Sequence, residues 1–201
     1  TLVGVESDFG TSAGTFDRVI SLSGQTIPDD GYWLGINDWG ATTYSVTGDF
    51  TISDNTFENS TATYFLVEGF TGTQGTDYDA DDDGVLDSTP WTSIIDSINI
   101  RDSGIDDFDY GAPSVGPDGT YLPAGTFRCP DAPYGTFGDN MLDYSTPDGT
   151  PGFNNRSSCG LTDVYLNEIE VSTDGTDCEY FELQGAPGTD LSTLTLVGDE
   201  R

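Results

Sequence analysis

The sequence predicts an all-β sandwich, and three observations carry that expectation. Every convincing periodic segment repeats with period two, as strands do when successive side chains point to opposite faces. The 26 glycines and 10 prolines interrupt the chain so often that no segment of ten or more residues reads as a helix. Turn signals separate the strands: Pro28-Asp29-Asp30-Gly31, Pro117-Asp118-Gly119, Pro147-Asp148-Gly149 and Ala186-Pro187-Gly188.

In chain order, Arg18 to Leu22 is the first strand of this pattern. Tyr32-Trp33-Leu34-Gly35-Ile36 places Tyr32, Leu34 and Ile36 on one face and Trp33 on the other. That phase leaves Trp33, with Trp39, as either core or an exposed ring for stacking on sugars; Trp91 reads as core. Thr63-Tyr64-Phe65-Leu66-Val67-Glu68 carries apolar groups on both faces, as an inner sandwich strand does. Ile94 to Ile100 alternates and is β-branched, which favours the pleated conformation. Val164 to Val171, Glu179 to Leu183 and Leu194 to Val197 complete the set. Residues 102–160 are rich in Gly, Pro, Asp and Tyr with little alternation, and are expected to form long loops pinned by Cys129 or a metal.

Charge narrows the function more than the strands do. The 201 residues, enough for one domain or one repeat, carry 36 acidic side chains against five arginines, with no lysine and no histidine, for a formal charge of −31. Without histidine, Ser-His-Asp and Cys-His catalysis and every His-ligated metal site are excluded. A Walker-type phosphate loop needs a lysine, and nucleic acid needs clustered cations, so neither nucleotide chemistry nor a nucleic-acid partner is expected. At 34% hydrophobic and 12% aromatic the chain has enough bulky side chain to fold rather than stay disordered. The acidity then points to a halophilic surface or to a calcium-binding extracellular protein. Carboxylate pairs are unavoidable among 36 acids, so they carry no argument for a glycosidase, and no enzyme is expected.

No stretch approaches the ~20 apolar residues of a membrane helix. The chain does not begin with Met and shows no signal peptide, so it reads as a mature or internal stretch. Cys129, Cys159 and Cys178 lie in unlike contexts and form no metal signature; one disulfide and one odd thiol is the simplest arrangement outside a reducing cell, with the pairing open. Asn59-Ser60-Thr61 and Asn155-Arg156-Ser157 fit the N-glycosylation pattern, making Asn59 and Asn155 candidate acceptors. These features place the protein outside the cell or at its surface.

The two ends match. Thr1-Leu2-Val3-Gly4 recurs as Thr195-Leu196-Val197-Gly198, and Glu6 aligns with Glu200 at the same offset. Two similar strands in one domain would explain this. The sharper reading is a tandem array of such units, or an assembly that mimics one by donating its tail strands to the next chain. On that reading residues 1–154 form the main body, 155–163 a linker, and 164–201 the opening strands of the next unit. Those strands should then lack a complete set of partners within one copy.

Reading the tail before the head brings further motifs into order. Leu166-Asn167-Glu168-Ile169 is followed by Glu179-Tyr180-Phe181-Glu182-Leu183 and by Asp190-Leu191-Ser192; the head supplies Ile27-Pro28-Asp29-Asp30-Gly31-Tyr32 and the close Thr150-Pro151-Gly152-Phe153-Asn154. In this order the chain resembles the lamin tail domain family, particularly its secreted bacterial members, and Phe127-Arg128-Cys129-Pro130-Asp131 is similar to an R-C-P-D element of those sequences. The resemblance implies an immunoglobulin-like β-sandwich and a non-catalytic structural or accessory role. The long 102–160 region departs from it.

The strongest local signal for chemistry is Asp77-Tyr78-Asp79-Ala80-Asp81-Asp82-Asp83-Gly84-Val85-Leu86-Asp87. Asp79, Asp81, Asp83, Gly84 and Asp87 fit D-x-D-x-D-G-x-x-D, the front of an EF-hand-type loop, with the Val85 carbonyl as backbone ligand. Calcium is a hard cation that takes six to eight oxygens, and alternating aspartates in a tight turn converge theirs. Position twelve is Pro90, so the usual bidentate glutamate is missing, and Asp77, Asp96 or a carboxylate of the 102–109 run is a candidate replacement. The neighbouring run Asp102, Asp106, Asp107 and Asp109 reads as solvated surface, with a weaker second cation site as the alternative. The expectation is therefore a calcium-stabilised extracellular glycoprotein that associates with itself into a filament or surface array. The rival is an adhesive or carbohydrate-binding accessory domain.

Overall fold

A computed structural model describes residues 1–10, 12–57, 59–129, 132–136, 151, 164–171, 178–185 and 187–196. In chain order the elements are β1 (Leu2–Glu6), β2 (Arg18–Ser21), β3 (Tyr32–Ile36), α1 (Asp38–Tyr44), β4 (Phe50–Thr51), β5 (Ala62–Glu68) and β6 (Ser93–Ile100). They continue with β7 (Ser114–Val115), β8 (Gly125–Cys129), β9 (Ala132–Thr136), β10 (Tyr165–Glu170), β11 (Tyr180–Gln184) and β12 (Leu194–Leu196). These strands form two sheets. One holds β1, β2, β12, β5, β6 and β7; the other runs β4-β3-β11-β10-β8-β9. The all-β expectation holds, with one short helix added.

The principal core takes side chains from both sheets: Leu2, Val3, Phe65, Leu66 and Ile98 from the first, Trp33, Ile169, Phe181 and Leu183 from the second. Trp33 lies with its ring 5.2 Å from Phe181 and 5.9 Å from Phe50, and its Nε1 donates to Gln25 Oε1 at 3.1 Å. Trp33 is therefore core, and the stacking alternative is withdrawn for it. Its predicted phase is right: Leu34 and Ile36 face the other way, into a small cluster with Tyr180. That second face is covered by α1, whose Ala41 and Tyr44 pack there. The helix starts because Asn37 Oδ1 accepts the Gly40 N–H at 2.7 Å, and it ends where Ser45 turns left-handed at φ 55°. Gly35 is dictated by packing, since a Cβ there would lie 2.2 Å from Phe181 Cε1.

Strands β3, β5, β6, β10 and β11 fall where the alternation predicts them. Within the region read as long loops, the described residues contain β7, β8 and β9, so that expectation is corrected in part. Gly125-Thr126-Phe127 shows no alternation of large apolar groups, yet it pairs with β10 through Phe127↔Glu168, Thr126↔Ile169 and Gly125↔Glu170.

The described strands of the tail are paired within the chain. β10 lies between β11 and β8, β11 lies between β10 and β3, and β12 pairs with both β2 and β5. Among the described residues of 164–201, these three strands therefore have partners within one copy, in place of the incomplete partner sets expected. The reason is geometric: a slot that a neighbour's identical tail could fill is equally a slot for the chain's own.

Candidate metal centre

The 77–87 loop grows from a short ribbon in which residues 14–16 pair with 75–78. Phe16 N–H donates to Thr76 O at 3.0 Å, Gly75 N–H to Phe16 O at 2.8 Å and Tyr78 N–H to Gly14 O at 3.0 Å. The Tyr78 ring stacks on Phe16 with centroids 4.1 Å apart, which fastens the ribbon to the core. Asp79 follows and is fully buried. It presses so closely on Gly14 that a Cβ there would stand 2.3 Å from the Asp79 Cβ, and Gly14 itself has φ +81°. Both facts demand glycine.

Asp79 organises the turn. Its Oδ1 accepts the Asp83 N–H at 3.1 Å, and its Oδ2 accepts the Gly84 N–H at 2.9 Å and the Tyr110 hydroxyl at 3.0 Å. Burial, and then the negative charge of Asp79, hold the Tyr110 hydroxyl well above the usual phenol range, so it remains a donor. Asp83 Oδ1 accepts the Val85 N–H at 2.9 Å. The ends of the loop are tied by Asp87 N–H to Tyr78 O at 2.7 Å and by Ala80 N–H to Asp87 Oδ2 at 2.9 Å. Asp77 Oδ1 accepts the Asp79 N–H at 2.8 Å.

Asp79, Asp81 and Asp83 each direct one carboxylate oxygen into a group whose members all lie within 4.8 Å of one another. Oxygens that share one calcium at ~2.3–2.6 Å can be at most about 5 Å apart, so the three fit a single ion. The charge of Asp83, ahead of a small burial effect and of Asp87 and Asp79, raises the Asp81 carboxyl above its usual range. A bound cation would reverse that repulsion. In the same turn, Asp82 Oδ1 is buried and accepts no hydrogen bond from the described residues. Of the other expected ligands, Asp77 and Asp87 bind loop backbone as described, and the Val85 side chain is exposed. The sequence did not point to Asp82, Tyr110 or Gly14 at this site. Asp82 sits at a spacer position of the alternating pattern, and the other two come from distant segments.

The second acidic run divides. Asp106 and Asp109 are exposed as expected, whereas Asp102 and Asp107 are half-buried around the Thr61 hydroxyl, which donates to Asp107 Oδ2 at 2.6 Å and accepts the Asp102 N–H at 3.1 Å. Asp8 joins them by accepting the Thr61 N–H at 3.0 Å. Burial, then the charges of Glu6 and Asp107, push the Asp8 carboxyl up to about 6; the Thr61 N–H opposes the shift and Asp102 adds to it. The folded state thus holds a proton on Asp8 more tightly than the unfolded chain does. Its contribution to stability is fully present below the ordinary carboxylate value of 3.8 and is lost as pH rises to about 6. Asp8→Asn keeps the oxygen acceptor and removes the charge. It is expected to raise the neutral-pH melting temperature and to flatten the melting profile between pH 4 and 6; an unchanged profile would contradict this assignment.

The remaining predicted residues are reported as they stand. Asn59 is exposed, and Asn155 lies outside the described residues. Cys178 is half-buried just before β11, Cys159 lies outside the described residues, and for Cys129 only the backbone, at the end of β8, is described. Among the described residues no helix is long and apolar enough to cross a membrane. Comparison with family models, curated proteins and solved structures found no match to this chain.

Proposed function

We propose that the chain is a calcium-stabilised extracellular structural unit, a lamin-tail-type sandwich with immunoglobulin-like topology, which assembles end to end into a fibre or surface array. The observation that carries the calcium part is the loop in which a fully buried Asp79 shapes the backbone while Asp81 and Asp83 present their oxygens beside it. A chain with net charge −31 gains from any bound divalent cation, and the ion would order a turn that otherwise gathers like charges. The lamin-tail part is supported by the placement of its motifs: Asn167-Glu168-Ile169 lies in β10, Tyr180 to Leu183 lies in β11, and the two strands are antiparallel neighbours. The glutamates of both motifs, Glu168, Glu179 and Glu182, are buried and so belong to the architecture rather than to an exposed reactive site. Glu168 Oε2 accepts the Tyr180 hydroxyl at 2.9 Å, Glu179 Oε2 accepts the Thr56 N–H at 3.0 Å, and Asn167 donates to Glu182.

Chelation tests the metal part. Calcium at a hundredfold excess over its dissociation constant stabilises a fold by about 2.7 kcal/mol, which in a domain of this size is roughly 5–10 °C of melting temperature. Removing it should lower the melting temperature by that amount; identical curves with calcium and with chelator would end the calcium reading.

One observation favours the carbohydrate-binding alternative enough to name it. Trp39 is 43% exposed and lines a groove of about 560 Å³ with Asp38, Thr42, Ser53 and Asp54, an arrangement of one ring and several hydrogen-bonding groups that suits a sugar. On that reading the isolated protein binds glycans, and Trp39→Ala abolishes the binding while leaving the melting curve in place.

A further inference from the structure

The slot between β2 and β5 is claimed twice. β1 enters it with Leu2 opposite Ile20 on β2 and Leu66 on β5, followed by Val3 opposite Val19 and Phe65. β12 runs into the same slot in the same direction, with Leu196 opposite Ile20 and Thr195 opposite Ser21 and Val67. Val67 is also the partner of Thr1: its N–H donates to Thr1 O at 2.6 Å, and the Thr1 nitrogen donates to Val67 O at 2.7 Å. The other edge of β5 is taken by β6, and along the free edge β12 takes Glu68 and Val67 while β1 takes Leu66 to Ala62, so the two strands abut here. The two claimants carry the same sequence, Thr-Leu-Val-Gly, aligned on the same rungs. Where they meet lies a groove of about 400 Å³ lined by Thr1, Val19, Ser21, Glu68, Phe70 and Thr195 among others.

We propose that this slot is a strand-exchange site for a second copy of the chain: the Thr195–Glu200 segment of one copy pairs with β2 and β5 of the next and displaces its β1. The inference rests on the end-to-end reading above and names the contact through which it operates. Both strands meet in this slot within one copy, so a neighbour's Thr-Leu-Val-Gly segment that continues along β2 and β5 competes with β1 for the rungs they share. Selectivity is built into the side chains. Leu2 and Val3 are fully buried, and Leu196 and Val197 reproduce them. Continued in this register, Asp199 replaces Val5, which is fully buried, and Glu200 replaces Glu6. A carboxylate in place of a buried valine is unfavourable, so the incoming tail is the weaker occupant and the exchange is reversible.

The mismatch supplies the test. Full-length protein is refolded from urea with a fluorescent peptide of residues 191–201, and binding is read by anisotropy while assembly state is read by sedimentation. The wild-type peptide should bind with one site per chain. The Asp199→Val peptide should bind about tenfold more tightly or better, because it restores the buried valine. The Leu196→Asp peptide should not bind, and saturating peptide should shift assemblies toward single copies. Absence of binding by both the wild-type and the Asp199→Val peptide would overturn the exchange, as would affinities indifferent to both substitutions. Assemblies that survive a saturated slot would overturn it as the assembly contact while leaving the end-to-end reading intact. Protein that is monomeric without peptide, yet binds it with this pattern, would end the assembly reading and leave the slot's preference standing.

Discussion

Asp79→Ala is expected to cost about 3–5 kcal/mol and to erase any stabilisation by calcium. The carboxylate is fully buried and holds three donors, the Asp83 and Gly84 N–H groups and the Tyr110 hydroxyl. Hydrogen bonds to an ionised acceptor are worth ~1.5–3 kcal/mol each, and removing the acceptor strands its donors. Part of that loss is recovered as the loop opens to water, which is why the sum of three is not expected. Asp79→Asn separates the two roles. It retains one oxygen acceptor and the shape of the side chain, so more of the stability should survive, while affinity for calcium falls with the lost charge. Urea denaturation of both variants, with calcium and with chelator, reads the two effects independently. A calcium response that persists in Asp79→Ala would place the ion elsewhere.

Trp33→Ala is expected to cost a further large amount, about 3–5 kcal/mol, or roughly 10–15 °C of melting temperature. The indole is 1% exposed, lies between Phe50 and Phe181, and donates its N–H to Gln25. Truncation opens a cavity where the two sheets meet, and the neighbouring rings cannot close it because Gly35 already brings the β3 backbone against Phe181. Trp33→Phe keeps an aromatic ring in the space and should cost less. A loss below ~1 kcal/mol for the alanine variant would contradict the burial of this ring.

What could be read from the sequence follows a physical division. β3, β5, β6, β10 and β11 were legible because β-branched and aromatic residues recur there at period two or fill both faces. β1 was not read as a strand in its own right: Leu2 to Glu6 is buried throughout, and Gly4 breaks the run. β8 was hidden because Gly125-Thr126-Phe127 carries only one large apolar residue, and its place is fixed by pairing with Glu168, Ile169 and Glu170 of β10. α1 is seven residues long and stands on a single Asn cap, too short for a period to register. At the candidate metal loop the alternating aspartates were plain in the sequence, since all of them lie in one turn. Gly14 and Tyr110, which fix that turn from outside, were not. The same holds for the group around Thr61, where Glu6, Asp8, Asp102 and Asp107 converge from separate segments. Charge count said only that acids are abundant; which of them are buried together depends on the packing of the sheets.

The repeat of Thr-Leu-Val-Gly shows the same division from the other side. Identity of the two ends was visible in the letters, but their placement on the same rungs between β2 and β5 appears only in the fold. Together they set a sequence repeat on one place in the fold.

Electron microscopy of the native material, with calcium and with chelator, tests the central claim most directly. Regular filaments or sheets with a repeat commensurate with one sandwich are expected, and chelator should loosen or disperse them. Monodisperse single particles, indifferent to chelator, would contradict both the assembly and the role of calcium in it.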